Sequence, residues 1–175
     1  MSLLAPVIKT LFTKHLADLE ATQDEKIAVN QASARVIENQ HSEATVRGFT
    51  VVQDEPVSVG GSGLGPTPTD YFMAAVALCE NVIFARTAAM KDLDLEALET
   101  TATGRWDLKG LYEIRGADSG FREVLVETRV STRSPAGRAA EVARLTHRRC
   151  PIHRTLAKAS QLSFRLFVNG AETPL

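Results

Sequence analysis

Cysteine is scarce in this chain: two residues in 175, Cys79 and Cys150. So few thiols exclude a disulfide framework, and a chain of this length can bury a core without disulfide or metal staples. Charge of one sign is lacking as well. Twenty basic and 21 acidic side chains leave a net charge of −1, which argues against nucleic acid or an anionic membrane as the main partner. Long apolar runs are missing: the longest uninterrupted one, 72–79, falls well short of the roughly 20 residues a membrane span needs. The start, Met1-Ser2-Leu3-Leu4-Ala5-Pro6, has no basic leader followed by a sustained apolar segment, so a secretory signal is not expected and a cytoplasmic location is. In that reducing compartment a disulfide is more often transient and catalytic than structural. The glycine-rich stretch Gly60-Gly61-Ser62-Gly63-Leu64-Gly65-Pro66 lacks the Lys-Ser/Thr pair of a phosphate-binding loop and reads as a flexible connection. No internal repeat or low-complexity segment occurs.

What is present suits one globular domain over 1–175, with 44% hydrophobic and 23% charged residues. Val7, Leu11, Leu16 and Leu19 recur at roughly helical spacing and predict a short amphipathic helix in an N-terminal extension, 1–26. Segments 27–37, 44–53 and 56–59 are rich in Val, Ile, Thr and Phe and predict strands. A long helix is expected over 68–90. Thr67 fits its N-cap, Pro68 its first position, and Asp70 its third, where a carboxylate closes a capping box. Phe72, Val76, Cys79 and Ile83 fall on one face of this helix, and Ala74, Ala75 and Ala77 would let another backbone come close, so it is expected to be buried on most of its surface. Strands are predicted at 99–107, 111–115, 122–131 and 162–168. Two helices separate the last pair, with Pro151 ending the first and starting the second. The order implies an α+β fold with mostly antiparallel sheet.

The two thiols differ in setting. Cys150 lies in His147-Arg148-Arg149-Cys150-Pro151-Ile152-His153-Arg154, where the start of a helix and a basic surrounding would both favour a thiolate; a buried, inert cysteine at a solvated basic helix end is the plainer alternative. Cys79 lies three turns into the long helix beside Glu80, which would oppose ionisation, and by itself reads as a small packed residue. His147, Cys150 and His153 recur every three residues, as metal ligands can. Pro151 breaks the helix that would align them, so no metal or other cofactor is expected.

Gly65-Pro66-Thr67-Pro68-Thr69-Asp70 followed by 71–79, and the later run Cys150-Pro151-Ile152-His153-Arg154-Thr155-Leu156 with its cysteine 71 positions beyond Cys79, together resemble the OsmC-like superfamily, the osmotically inducible protein C and organic hydroperoxide resistance proteins. The likeness covers about residues 27–170 and is nearest the less characterised OsmC-like branches. It implies an intertwined homodimer with antiparallel sheets around a long central helix. It also implies a cysteine-dependent peroxidase, in which Cys79 attacks a peroxide or organic hydroperoxide, Cys150 resolves the sulfenic acid as a disulfide, and an external dithiol reduces it. The local reading, by contrast, makes Cys150 the more activated thiol. The peroxidases in this superfamily also use an early-strand arginine and an acid at the start of the central helix. Arg35 and Arg47 both lie in predicted early strands, and Arg47 is the candidate taken; the acid's place is held by Thr69, with Asp70 following. Asp70 lies nine residues before Cys79, about 900° of helix and half a turn out of phase, so it would act only from the partner subunit or through an arginine, or serve simply as a cap. The competing expectation is a non-catalytic protein of the same fold that binds a small hydrophobic molecule at the dimer cleft.

Overall fold

The computed structural model describes residues 2–159 and 161–174 and divides the chain into two compact units, 22–72 and 2–21 with 73–174.

The smaller unit holds a three-stranded antiparallel sheet, β1 (Ser33–Glu38), β2 (His41–Val46) and β3 (Phe49–Gln53), in that order. The expected strand over 44–53 is two strands. Arg47 and Gly48 both take positive φ (51° and 84°) and turn the chain between them, so Arg47 sits in a hairpin turn and not in a strand. Residues 27–32 are outside any strand, and the expected strand at 56–59 is a single 3₁₀ turn, Val57–Val59, entered through Pro56.

The glycine-rich connection is tied down. The buried Asp54 accepts backbone N–H groups from Glu55 (2.8 Å), Ser62 (2.9 Å) and Leu64 (3.3 Å), so one carboxylate gathers a ten-residue loop. Burial pushes that carboxyl up, but the donors of Leu64, Ser62 and Glu55, with His41 nearby, together hold it below the usual carboxylate range. A Cβ on Gly61 would run into the carbonyl of Glu55, and one on Gly65 would meet that of Val52; these glycines permit close backbone approach.

The helix α2 (Pro68–Met90) starts as predicted. Thr67 Oγ1 accepts the Asp70 N–H (3.3 Å) and the Asp70 carboxylate accepts the Thr67 N–H (3.0 Å), a reciprocal capping box. Its buried stripe is Val76, Glu80, Phe84, Thr87 and Ala88. Cys79 lies on the flank, and Leu78 and Val82 are 66% and 44% exposed. Much less of the helix is buried within the chain than its composition suggests. Among the described residues it is the one helix long and apolar enough to cross a bilayer, a property that core helices share.

The larger unit is built on a four-stranded sheet ordered β4 (Leu95–Arg105), β5 (Glu123–Thr132), β6 (Gln161–Val168), β7 (Ala171–Thr173). An all-antiparallel arrangement is not what forms: β5 and β6 are parallel, from Glu123 opposite Gln161 to Val130 opposite Val168. Parallel neighbours need a long crossover, and here it is α3 (Ala136–Arg149) and α4 (Pro151–Ala159). The strand expected at 111–115 is 3₁₀ turn instead, over Leu108–Tyr112 and Ile114–Gly116. The hairpin to β7 was legible but not predicted. Asn169-Gly170, both at positive φ, is a favoured hairpin turn, and the Asn169 amide is fastened to the backbone of Thr132 by two 2.8 Å bonds.

Val124, Val126, Thr128, Val130 and Thr132, every second residue, line the buried face of β5. The apolar core on this face falls into two clusters. One joins Phe84 and Ala88 of α2 to Val130, Leu166, Val168 and the alanine face of α3; the other joins Val76 to Val124, Val126 and Leu156 of α4. Glu80, one turn from both Val76 and Phe84, and Thr128, two residues from both Val126 and Val130, occupy the layer between the clusters.

The N-terminal helix α1 (Pro6–Glu20) is present, with Val7, Leu11, Leu16 and Leu19 exposed and no buried residue.

Asp54→Ala removes the acceptor that gathers the loop. The Ser62 and Leu64 amides should then exchange with solvent much faster while those of the β2–β3 ladder keep their protection, as read by hydrogen exchange; unchanged rates at 62 and 64 would mean that Asp54 does not hold the loop.

Candidate active site: a thiol pair beside a buried glutamate and two histidines

Cys79 is placed by the middle of α2 and Cys150 by the junction of α3 and α4. Pro151 lacks the N–H that would continue α3, so the backbone leaves helical geometry at Cys150 (φ −71°, ψ 116°) and restarts as α4. That turn carries the Cys150 side chain to Cys79. The two sulfurs are 2.6 Å apart, within reach of a disulfide with little movement of either side chain. Both are free thiols, Cys79 half-buried and Cys150 buried.

Burial decides the character of Cys150. Desolvation pushes its thiol up, and the contact with Cys79 adds to this. The backbone N–H groups of His153 and Ile152, at the start of α4, pull the other way and lose; the thiol is pushed up to about 12. The expectation that the helix start and the arginines make Cys150 the activated thiol is therefore overturned. Arg148 and Arg149 point to solvent, where water screens them, while the sulfur is fully enclosed.

Beside the thiols lies a group that sequence reasoning weighed only in pieces. Glu80 is 0% exposed. Its Oε1 accepts a hydrogen bond from Thr128 Oγ1 (3.3 Å) and lies 3.5 Å from His147 Nε2; its Oε2 lies 3.4 Å from His153 Nδ1. His147 lies in the last turn of α3 and stacks on Phe164 of β6, ring centroids 3.7 Å apart. His153, 1% exposed, is in the first turn of α4, and burial pushes its pKa down, Glu80 opposing and His147 assisting. The break at Pro151, read from sequence as keeping His147, Cys150 and His153 from aligning, parts only the cysteine from the other two: the histidine rings lie 5.7 Å apart beside Glu80, and Cys150 turns to Cys79. The available signal was the phase of Glu80, four residues from both Val76 and Phe84 on the buried stripe.

The remaining candidates lie in the smaller unit. Arg47 is exposed in the β2–β3 turn, and Arg35 on β1 pairs with Glu43 at 3.0 Å. The exposed Asp70 carboxylate is engaged by Thr67, accepting from its N–H and, at 2.7 Å, from its hydroxyl. Thr69 Oγ1 also lies 3.0 Å from Thr67 Oγ1.

No curated protein matches the sequence. Solved structures do match the fold. An OsmC-like protein from Mycoplasma pneumoniae superposes with a TM-score of 0.72 at 18% identity, over 82% of this chain and 99% of that one. An organic hydroperoxide resistance protein OsmC from Legionella pneumophila gives a TM-score of 0.61 at 19% identity, over 82% and 100%. A putative organic hydroperoxide resistance protein from Vibrio cholerae, with captopril bound in one of its active sites, gives 0.61 at 19%, over 87% and 99%. At these identities the likeness concerns the fold: mixed α+β with two sheets and helices. The family profile described as OsmC-like protein matches residues 60–165, more than half of the sequence, and the chain belongs to the OsmC-like family.

Proposed function

We propose that this chain is a cysteine-dependent peroxidase that reduces organic hydroperoxides, with Cys79 as the attacking and Cys150 as the resolving thiol. The observation that carries the reading is the 2.6 Å approach of a half-buried and a buried sulfur held by different elements. Neighbours of the same fold that are described as organic hydroperoxide resistance proteins support it. Cys79 is the sulfur a substrate can reach. Its thiolate attacks one peroxide oxygen; an S–O bond forms, the O–O bond breaks, and the alkoxide takes a proton and leaves as the alcohol. Cys150 then attacks the Cys79 sulfenic acid. The S–S bond forms, and the hydroxide leaves as water with the Cys150 proton. A high thiol pKa suits a residue that keeps its proton until this step. An external dithiol reduces the disulfide by exchange, which fits a cytoplasmic setting.

Arg47 is the proposed activating cation, free of the Glu43 pairing that engages Arg35. Asp70 is proposed to act by fixing the start of α2, since its carboxylate serves the capping box. The working state is proposed to be an intertwined homodimer around α2. Support comes from the exposed stripe Ala74, Leu78, Val82, each four residues from the next, which leaves apolar surface that a second copy would cover. A single species of twice the chain mass is expected in light scattering at micromolar concentration; a monomer would reject this assembly.

The reactivity order of the thiols follows from their burial. A thiol whose pKa is pushed up by burial holds far less thiolate at neutral pH than an ordinary one. Iodoacetamide should therefore label Cys79 well before Cys150, as read by peptide mass spectrometry. Peroxide should then join the two within one chain. Preferential labelling of Cys150 would reverse the roles.

Purified protein with a dithiol should consume an organic hydroperoxide. Cys79→Ser should abolish turnover, and Cys150→Ser should allow one oxidation, to a trappable sulfenic acid, and then stall. Arg47→Ala should slow oxidation by about ten- to a hundred-fold, the worth of a charge-assisted hydrogen bond of about 1.5–3 kcal/mol, and Arg35→Ala should have less effect. Thr69→Glu restores an acid at the start of α2; activity in that variant alone would mean that the thiols have been kept and their activator lost.

One observation favours a second reading, binding of a small hydrophobic molecule without catalysis. A largely apolar groove of about 410 Å³ lies in the smaller unit, lined by Ala34, Ala44, Val51, Pro68 and Tyr71 among others. If neither wild type nor Thr69→Glu turns over any hydroperoxide while Cys79 resists alkylation, this reading replaces the first.

A further inference from the structure

The buried polar layer beside the thiols is not explained by peroxide chemistry. Burying a carboxylate together with imidazoles is costly unless each polar atom finds a partner. Here Glu80 Oε2 and both nitrogens of His153 are buried with no hydrogen-bond partner among the described residues. The contacts that look like pairing, 3.5 Å to His147 Nε2 and 3.4 Å to His153 Nδ1, are longer than the roughly 2.7–3.2 Å of N–H···O bonds. They are of the order of the spacing between ligand atoms bound at about 2.0–2.2 Å around a tetrahedral ion, about 3.3–3.6 Å, with each histidine facing a different oxygen of the one carboxylate. Taking one ligand atom from each of the three residues, the atoms lie within 4.8 Å of one another, so small side-chain movements would close them on an ion.

We propose that Glu80, His147 and His153 form a binding site for one divalent transition-metal ion of the zinc class. Two imidazoles and one carboxylate are a donor set that suits zinc and its first-row neighbours; calcium and magnesium prefer oxygen alone. The frame is already rigid. Thr128 donates to Glu80 Oε1, Phe164 holds the His147 ring by stacking, and the flanking apolar clusters fix α2 and β5 on either side. Three protein ligands leave a fourth position for water or another donor. Neither sulfur belongs to the cluster, so metal binding and peroxide turnover are separable.

The test uses untagged, chelator-treated protein with Zn²⁺ and with Co²⁺ as a spectroscopic stand-in. Equilibrium dialysis in a metal-buffered solution should give one ion per chain at micromolar free metal. Binding should persist in Cys79→Ser and Cys150→Ser. It should weaken by at least about tenfold in His147→Gln and in His153→Gln, the least expected when even a group that only orients a ligand is lost. X-ray absorption on zinc-loaded wild type keeps the question open to refutation if those variants fold poorly. A nitrogen and oxygen shell near about 2.0–2.1 Å with imidazole scattering is expected, whereas a sulfur shell near about 2.3 Å would move the ion to the thiols and overturn the assignment. Absence of stoichiometric binding to folded wild type, or binding unchanged in both histidine variants, would overturn it equally. Loss of peroxide turnover with metal binding retained would count only against the peroxidase.

Discussion

The arrangement of the larger unit depends on one backbone constraint, the missing N–H of Pro151. β5 and β6 pair in parallel, so the chain between them must cross back over the sheet. A single unbroken helix over 136–159 would carry its residues away along one axis. The proline instead ends α3 at Arg149 and starts α4 within two residues. The sharp turn falls on Cys150 and directs its sulfur to α2, while His147 and His153, on either side of the break, converge on Glu80. One residue thus sets the crossover, the thiol pair and the histidine pair together.

A second constraint is the polar layer that divides the core. Glu80 and Thr128 occupy positions where the periodicities of α2 and β5 would place apolar side chains, and the core separates into two clusters around them. A buried carboxylate is costly in such a place. The layer also shows how unlike the surroundings of the sulfurs are: Cys79 is on the open flank of its helix, and Cys150 is enclosed. Burial outweighs both the helix dipole and the nearby arginines at Cys150, because desolvation acts on the sulfur itself whereas the guanidinium groups are solvated.

The smaller unit shows how short-range chemistry can be strong where hydrophobic patterning is weak. Its sheet turns at Arg47-Gly48, and a single carboxylate, Asp54, organises the loop leading towards α2. Glycine there serves close backbone approach at Gly61 and Gly65 and gives no free hinge.

The sequence by itself determined the features that rest on local rules. The capping box of Thr67 and Asp70, the length of α2, the alternating face of β5 and the break at Pro151 each follow from the geometry of a few consecutive residues. The pairing of the two cysteines was legible only through likeness to a family, since 71 intervening residues carry no local signal of contact. Tertiary structure alone decided the rest. The parallel pairing of β5 with β6 depends on where the crossover lands, the burial of Glu80 on which stripe of α2 meets the sheet, and the high pKa of Cys150 on which side chains enclose it. The placing of Arg47 in a turn was settled by positive φ at two adjacent residues, a choice the β-rich composition on either side concealed. Local rules fix the conformation of a segment; the field and the solvent exposure at a side chain are sums over neighbours that only the folded chain assembles.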